Sequence, residues 1–238
     1  MRTPTQPRDI RGFTLIELLV VIGIIAILAA MLLPVLSRAK QAGKRANCVS
    51  NLHQMVTAML LYADENDGVV PRGNEPYWWQ VLAPTLGTRT SADALKTKIY
   101  TCPAYPNHDQ MICYVVNAWT FDSSDPNVQA NGKEITGLQR LIKIERPVDT
   151  VYFADNEDGP GRPVVNDLSS GNTTTTVDDV WSESHLPYSQ ESTDLNTDRR
   201  VAAARHGRGP NLGFFDGHVQ MKKAQAITKD DWRDIRHY

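Results

Sequence analysis

The feature that most restricts this chain is the segment RGFTLIELLVVIGIIAILAAMLLP near its N-terminus. Residues 18–36 carry no charge, and as a helix these 19 residues would span about 28 Å, close to the roughly 30 Å hydrocarbon thickness of a bilayer. A cleavable secretory signal would have a shorter apolar run and an A-x-A site. AILAAM has no such site, and no cysteine follows that could accept a lipid. Glu17 stands just before the uncharged run, inside the apolar segment. An ionisable residue near the centre of a spanning helix costs about 2.5–3.5 kcal/mol, and less near the ends. A carboxylate in that place calls for a reason beyond anchoring.

The helical pattern continues past the apolar run. Ala42, Ala46, Val49, Leu52, Val56, Met59, Leu60 and Ala63 recur at spacings of mostly three and four, the mark of one apolar stripe on a helix. DENDG, residues 64–68, ends the stripe, and Gly68 suits a cap position that needs positive φ. A continuous helix over residues 13–66 would be about 80 Å long, with residues 13–36 in lipid and the amphipathic residues 37–66 against a partner. Pro34 removes one backbone donor, so a kink or local melting is expected there.

The remainder, residues 67–238, is rich in Gly, Pro, Asn and Asp and reads as a soluble, loop-rich domain. A net charge of −2 gives no ground for nucleic-acid binding. Trp78 and Trp79 read as core aromatics, with anchoring of the long helix as the alternative. Residues 112–119 and 150–154 are β-branched and aromatic enough to be strands. Residues 156–198 show no sustained period and read as long polar loops. Asp155 and Asp158 in DNEDG have a spacing that could hold calcium, but no complete EF-hand loop is present, and an acidic turn without metal is the plainer reading. Cys102 and Cys113 are close enough in sequence to pair if the domain lies outside the cytosol; otherwise they are two half-buried thiols. Cys48 has no evident partner and sits on a helix face.

The most specific stretch of the soluble part is RHGRGPNLGFFDGHVQM. Asp216-Gly217 between apolar residues predicts a two-residue type I′ hairpin, pairing Phe215 with His218 and Phe214 with Val219. Alternation then puts Leu212, Phe214, Val219 and Met221 on the core face. His206, Asp216 and His218 could bind metal or act as acid and base. Each also has a structural role: Asp216 in the turn, His218 on an exposed strand face, His206 bonded to the loop before the hairpin. No G-x-S-x-G, P-loop, H-E-x-x-H or C-x-x-C accompanies them, so the chain reads as a non-enzyme that needs no cofactor, calcium aside.

GFTLIE after a short basic leader resembles the processing signal of type IV pilins and type II secretion pseudopilins, and Pro34 falls where many of those proteins place a helix-breaking proline. The resemblance implies a leader of residues 1–12, cleavage by a prepilin peptidase between Gly12 and Phe13, N-methylation of Phe13, and a role for Glu17 in assembly. Glu17 could pair with the terminal amine of a neighbouring subunit, which turns a lone unfavourable charge into a register device. His206 and Asp216-Gly217, nine residues apart, also resemble the H-x9-DG domain of large pilin-like proteins, as do RANCVSNLHQM and LLYADENDG. The implied fold is α+β, a long N-terminal helix packed on an antiparallel sheet. The implied partners are further copies and other pilin-like subunits, an assembly ATPase, a platform protein and the bacterial inner membrane, crossed once with the soluble domain outside. Arg38, Lys40, Lys44 and Arg45 after the span would by charge count alone favour the opposite orientation. A pilus-displayed adhesin contacting partners through residues 156–198, and a membrane-tethered hydrolase using His206, Asp216 and His218, are the alternatives.

Overall fold

The computed structural model describes residues 14–72, 77–88, 93, 97–119, 137–158, 179–180, 182–188 and 199–233. The chain divides into two compact units, Met1–Ala42 and Gly43–Tyr238. Helix α1, Leu15–Glu65, starts in the first unit and ends in the second. It stays helical through Pro34, so the local melting expected there does not occur. Proline removes one bond, while the turns on either side keep theirs.

In the first unit every described side chain of α1 is exposed, among them Leu19, Ile24, Leu28, Leu32 and Leu36. This part of the helix is long and apolar enough to cross a membrane. An apolar surface on all sides of a helix needs a covering medium rather than a single packing partner.

In the second unit α1 buries Cys48, Leu52, Met55, Val56, Ala58, Met59 and Ala63. The buried stripe is therefore shorter than the sequence periodicity suggested: Ala42 and Ala46 are exposed and Val49 is half-buried. The helix stops where expected. Asp67 (φ 55°) and Gly68 (φ 74°) turn left-handed, and the Gly68 amide donates to the Ala63 carbonyl at 2.7 Å, the six-to-one bond of a Schellman ending.

The stripe packs on a five-stranded sheet. Its strands are β2 (Tyr114–Asn117), β4 (Val151–Asp155), β5 (Asp179–Val180), β6 (Asn211–Phe214) and β7 (Val219–Met221), in the order β5-β2-β4-β6-β7. All neighbours are antiparallel except β2 and β5. Strands β1 (Val69–Arg72) and β3 (Gly137–Arg140) form a separate antiparallel pair directly after the helix cap. Alternation along β2 and β6 divides the interior in two. Tyr114 and Val116 join the helix-side core with Trp78 and Trp79 of the short helix α2 (Trp78–Leu82), whereas Val115, Leu212 and Phe214 face Trp119, Val180, Leu186 and Trp232. The ladder between β4 and β6 slips between Val151 and Phe153, and this bulge lets the consecutive Tyr152 and Phe153 both join the helix-side core.

At Gly213 the helix and β6 come close together. A Cβ placed there would lie 2.7 Å from Val56 Cγ1, so the helix can rest on β6 only because that side chain is missing.

The hairpin joining β6 and β7 differs from the expected one. Gly213 pairs with Val219, and the Phe214 amide donates to the His218 carbonyl at 3.0 Å, which leaves a three-residue loop. Only Gly217 (φ 98°) has positive φ in that loop, so the turn is type I with a glycine bulge, not type I′. The extra residue shifts β7 by one, so that Val219 pairs with Gly213 instead of Phe214. Alternation puts Phe215 in the helix-side core and keeps Leu212 and Phe214 buried on the opposite face. Val219, predicted beside them, packs against the helix-side core instead.

Two outcomes follow from this packing. Gly213→Val should lower stability by about 1–3 kcal/mol through overpacking, with part recovered by Val56→Ala, read as shifts in thermal midpoint. The second concerns alkali. Tyr100, Tyr114 and Tyr152 are buried, and their hydroxyls donate to the carbonyls of Trp79, Cys48 and Pro71. Burial pushes all three phenols above their usual range. The folded state thus holds these protons more tightly than the unfolded chain, and stability present below pH 10.0 should be lost as pH rises beyond it. Circular dichroism followed through an alkaline titration measures this.

Candidate functional site: the capped helix start and the His206 corner

Gly12 and Phe13 lie outside the described residues. Immediately after them, Thr14 and Glu17 cap α1 reciprocally. The Glu17 amide donates to Thr14 Oγ1 at 3.3 Å, and the Glu17 carboxylate accepts from the Thr14 amide at 2.9 Å and hydroxyl at 2.7 Å. This is a capping box with the signature T-x-x-E in TLIE, a local role for Glu17 beside the assembly role that the resemblance implies. The carboxylate sits at the positive end of the helix dipole with its oxygen satisfied, which lessens the cost of keeping it in an apolar segment.

The second site is built where α1 meets the head. Asn51 of α1 donates from Nδ2 to the carbonyls of Lys98 (3.2 Å) and Thr101 (2.9 Å), hanging the turn at residues 98–101 on the helix. That places Cys102 beside Cys48, one helical turn before Asn51, and the two form a disulfide with Cα atoms 5.1 Å apart. Of the two readings of Cys102 and Cys113, the disulfide between them is therefore corrected: proximity in sequence loses to the docking of the turn on α1. Cys113 remains a thiol, buried, with its Sγ 3.8 Å from the Gln110 carbonyl. Burial pushes it up to about 11, against a smaller opposing effect of the Cys102 backbone.

His206 completes this corner. It precedes β6 in a left-handed conformation (φ 58°, ψ 19°). Its Nε2 lies 3.2 Å from Asp155 Oδ2 and 3.8 Å from Cys102 Sγ. Asp155 ends β4, fully buried, and the same oxygen accepts from the Asn211 amide (2.7 Å) and Nδ2 (3.1 Å). Arg205 is buried alongside, donating to the carbonyls of Cys113 and Asn156, with its guanidinium 4.3 Å over the Tyr105 ring. The sequence reading tied His206 to the loop before the hairpin; its partner is instead the strand aspartate considered for calcium.

The two calcium candidates are held differently. Asp155 faces His206 and Asn211, while Asp158 lies beside Glu157, whose carboxylate takes Arg199 and the amides of Asp158 (2.9 Å) and Ala203 (3.2 Å). Burial alone would raise Glu157, but its hydrogen bonds from Asp158 and the Arg199 charge hold it below the usual range; burial and the neighbouring Glu157 raise Asp158. Among the described residues, Cys48, Cys102 and His206 form a group of three donors close enough for one ion, and Asp155 with Asp158 does not.

Asp216 and His218 are a separate pair at the far end of β6, Oδ1 to Nδ1 2.6 Å, with the His218 ring stacked on Phe214 at 4.1 Å between centroids. Gly217 packs on Leu60 of α1. The structure therefore does not gather His206, Asp216 and His218 into one acid–base set.

Residues 7–33 match the family described as a prokaryotic N-terminal methylation motif. The chain is 36% identical over 89 residues to the type IV major pilin protein PilA of Myxococcus xanthus, 37% of this chain and 40% of that protein. It is 43% identical over 60 residues to the type IV wide pilus major component PilA4 of Thermus thermophilus, 25% of this chain and 46% of that protein. The chain thus spans less than half the length of these relatives. No solved structure matches. Over part of its length the chain is similar to type IV pilins, and it carries an N-terminal methylation motif and a helix long and apolar enough to cross a membrane.

Replacing Cys48 by Ser should cost about 2–5 kcal/mol of head stability, whereas Cys113→Ser should cost far less. Peptide mapping without reduction should recover Cys48 linked to Cys102, and alkylation of native protein at neutral pH should leave Cys113 largely unlabelled until the fold opens.

Proposed function

We propose that this chain is a prepilin-like structural subunit that is cut between Gly12 and Phe13, methylated on the Phe13 amine, and assembled into a pseudopilus or type IV pilus-like filament. The observation that carries this reading is the run of the methylation motif straight into a capped helix whose first 28 residues bury none of their side chains. Lipid covers that surface before assembly, and the helices of neighbouring subunits cover it afterwards. The second half of the helix carries the head.

Glu17 supplies the electrostatics. Cleavage leaves a cationic amine at Phe13, and N-methylation keeps its charge. In the free subunit the carboxylate is occupied by Thr14 and the helix end; on docking, the amine of another subunit competes for it in a medium of low dielectric, where one well-placed pair outweighs many loose contacts. Subunits set at the wrong height leave both charges unpaired, so the pair selects register.

The orientation follows the processing signal rather than the charge count. A Cys48–Cys102 disulfide suits an oxidising compartment, which supports an inner-membrane span with the head in the periplasm or beyond. The prepilin peptidase, assembly ATPase and platform protein are the machinery this reading requires. The H-x9-DG pattern serves the head's construction here, with His206 at the disulfide corner and Asp216-Gly217 closing the hairpin on α1.

N-terminal peptide mass spectrometry of the membrane-associated protein from its native host should find a chain beginning with N-methylated Phe13. A chain retaining residues 1–12 overturns the reading. Glu17→Ala should leave membrane insertion and head folding unchanged while sheared-filament yield falls below detection.

A further inference from the structure

We propose that Cys48 and Cys102, when reduced, form with His206 a binding site for zinc or a similarly soft divalent ion, with the Asp155 carboxylate beside the imidazole. The ligand atoms Sγ, Sγ and Nε2 all lie within 4.8 Å of one another. Tetrahedral zinc with sulfur at about 2.3 Å and nitrogen at about 2.0–2.1 Å sets those donors about 3.5 Å apart. His206 Nε2 is already 3.8 Å from Cys102 Sγ. The two sulfurs must separate, by side-chain rotation from Cα atoms 5.1 Å apart.

Two further observations point to a ligand. Asp155 is fully buried, and its Oδ1 has no hydrogen-bond partner among the described residues, although Oδ2 lies 3.2 Å from the same imidazole nitrogen. The charges also close: two thiolates and Asp155 are balanced by a divalent ion and the buried Arg205 guanidinium. Cys113, nearer to Cys102 in sequence than Cys48 is, takes no part in the donor group.

The disulfide and the ion exclude each other. Two electrons from a dithiol reductant, which itself closes to a disulfide, convert the bond to two thiols; each thiol then releases its proton as zinc binds. The ion would tie α1 to the turn at residues 98–101 across the same points as the disulfide, so a head folded before oxidation, or reduced after it, keeps its cross-link. This inference stands apart from filament assembly, since a dispersed subunit suffices to test it.

The full-length chain in detergent micelles, reduced with a non-coordinating phosphine and freed of metal, is titrated with Co²⁺ and then Zn²⁺. The expected result is one equivalent of cobalt with a thiolate charge-transfer band, displaced by zinc and absent from the oxidised chain. Zinc should also raise the thermal midpoint of the reduced chain alone. His206→Gln should weaken zinc at least about tenfold, and Cys113→Ser should leave it unchanged. A reduced wild-type chain that shows no charge-transfer band overturns the proposal, as does a band lost in Cys113→Ser or affinity unchanged in His206→Gln. The wild-type titration decides the matter even if a variant fails to fold.

Discussion

Everything in the head is arranged around the contact between one stripe of α1 and one face of the five-stranded sheet. Leu52, Met55, Val56 and Met59 are each fully buried there, and burial of such side chains contributes about 1.5–3 kcal/mol apiece. The contact works because β6 presents no side chain at Gly213 and because the β4 bulge turns two consecutive aromatics toward the helix. Asn51 then fastens the following turn to the helix, and the disulfide, the His206 corner and the hairpin tip on Leu60 all inherit their positions from this seat.

The helix was legible because two strong periodic signals were written end to end, an uncharged run and then a stripe. Its stop was legible too, since Gly68 marks a left-handed ending. What spacing could not reveal was where packing begins: Ala42 and Ala46 keep the stripe's phase but find no sheet beneath them, so the buried surface starts at Cys48. Strands near residues 114 and 151 stood out through β-branched and aromatic content. The loop between β6 and β7 was misjudged by one residue because Asp-Gly fits both a two-residue turn and the end of a three-residue turn. Tertiary context decides between them: the three-residue loop sets Val219 opposite Gly213 against the helix-side core, and a two-residue turn would carry it to the other face.

The candidate sites divide in the same way. Local signals sufficed for the helix start, where T-x-x-E states its own geometry within four residues. The disulfide could not be read locally, because Cys48 and Cys102 meet across 54 residues of chain through the docking of a turn. The same holds for His206 and Asp155. Each was singled out, but for different purposes, and only the pairing of β4 with β6 brings them together. A histidine and an Asp-Gly that look like one motif in sequence serve two ends of one strand.

Among the described residues the outermost strands of the sheet are its shortest, β5 with two residues and β7 with three. Open strand edges are templates for pairing with another chain, and the hazard grows with local concentration. A subunit that assembles as proposed would meet that hazard continually. An edge as brief as β7 offers too few backbone donors and acceptors in a row to nucleate cross-chain sheet growth, so in the proposed filament that side of each head can stay discrete while the helices associate.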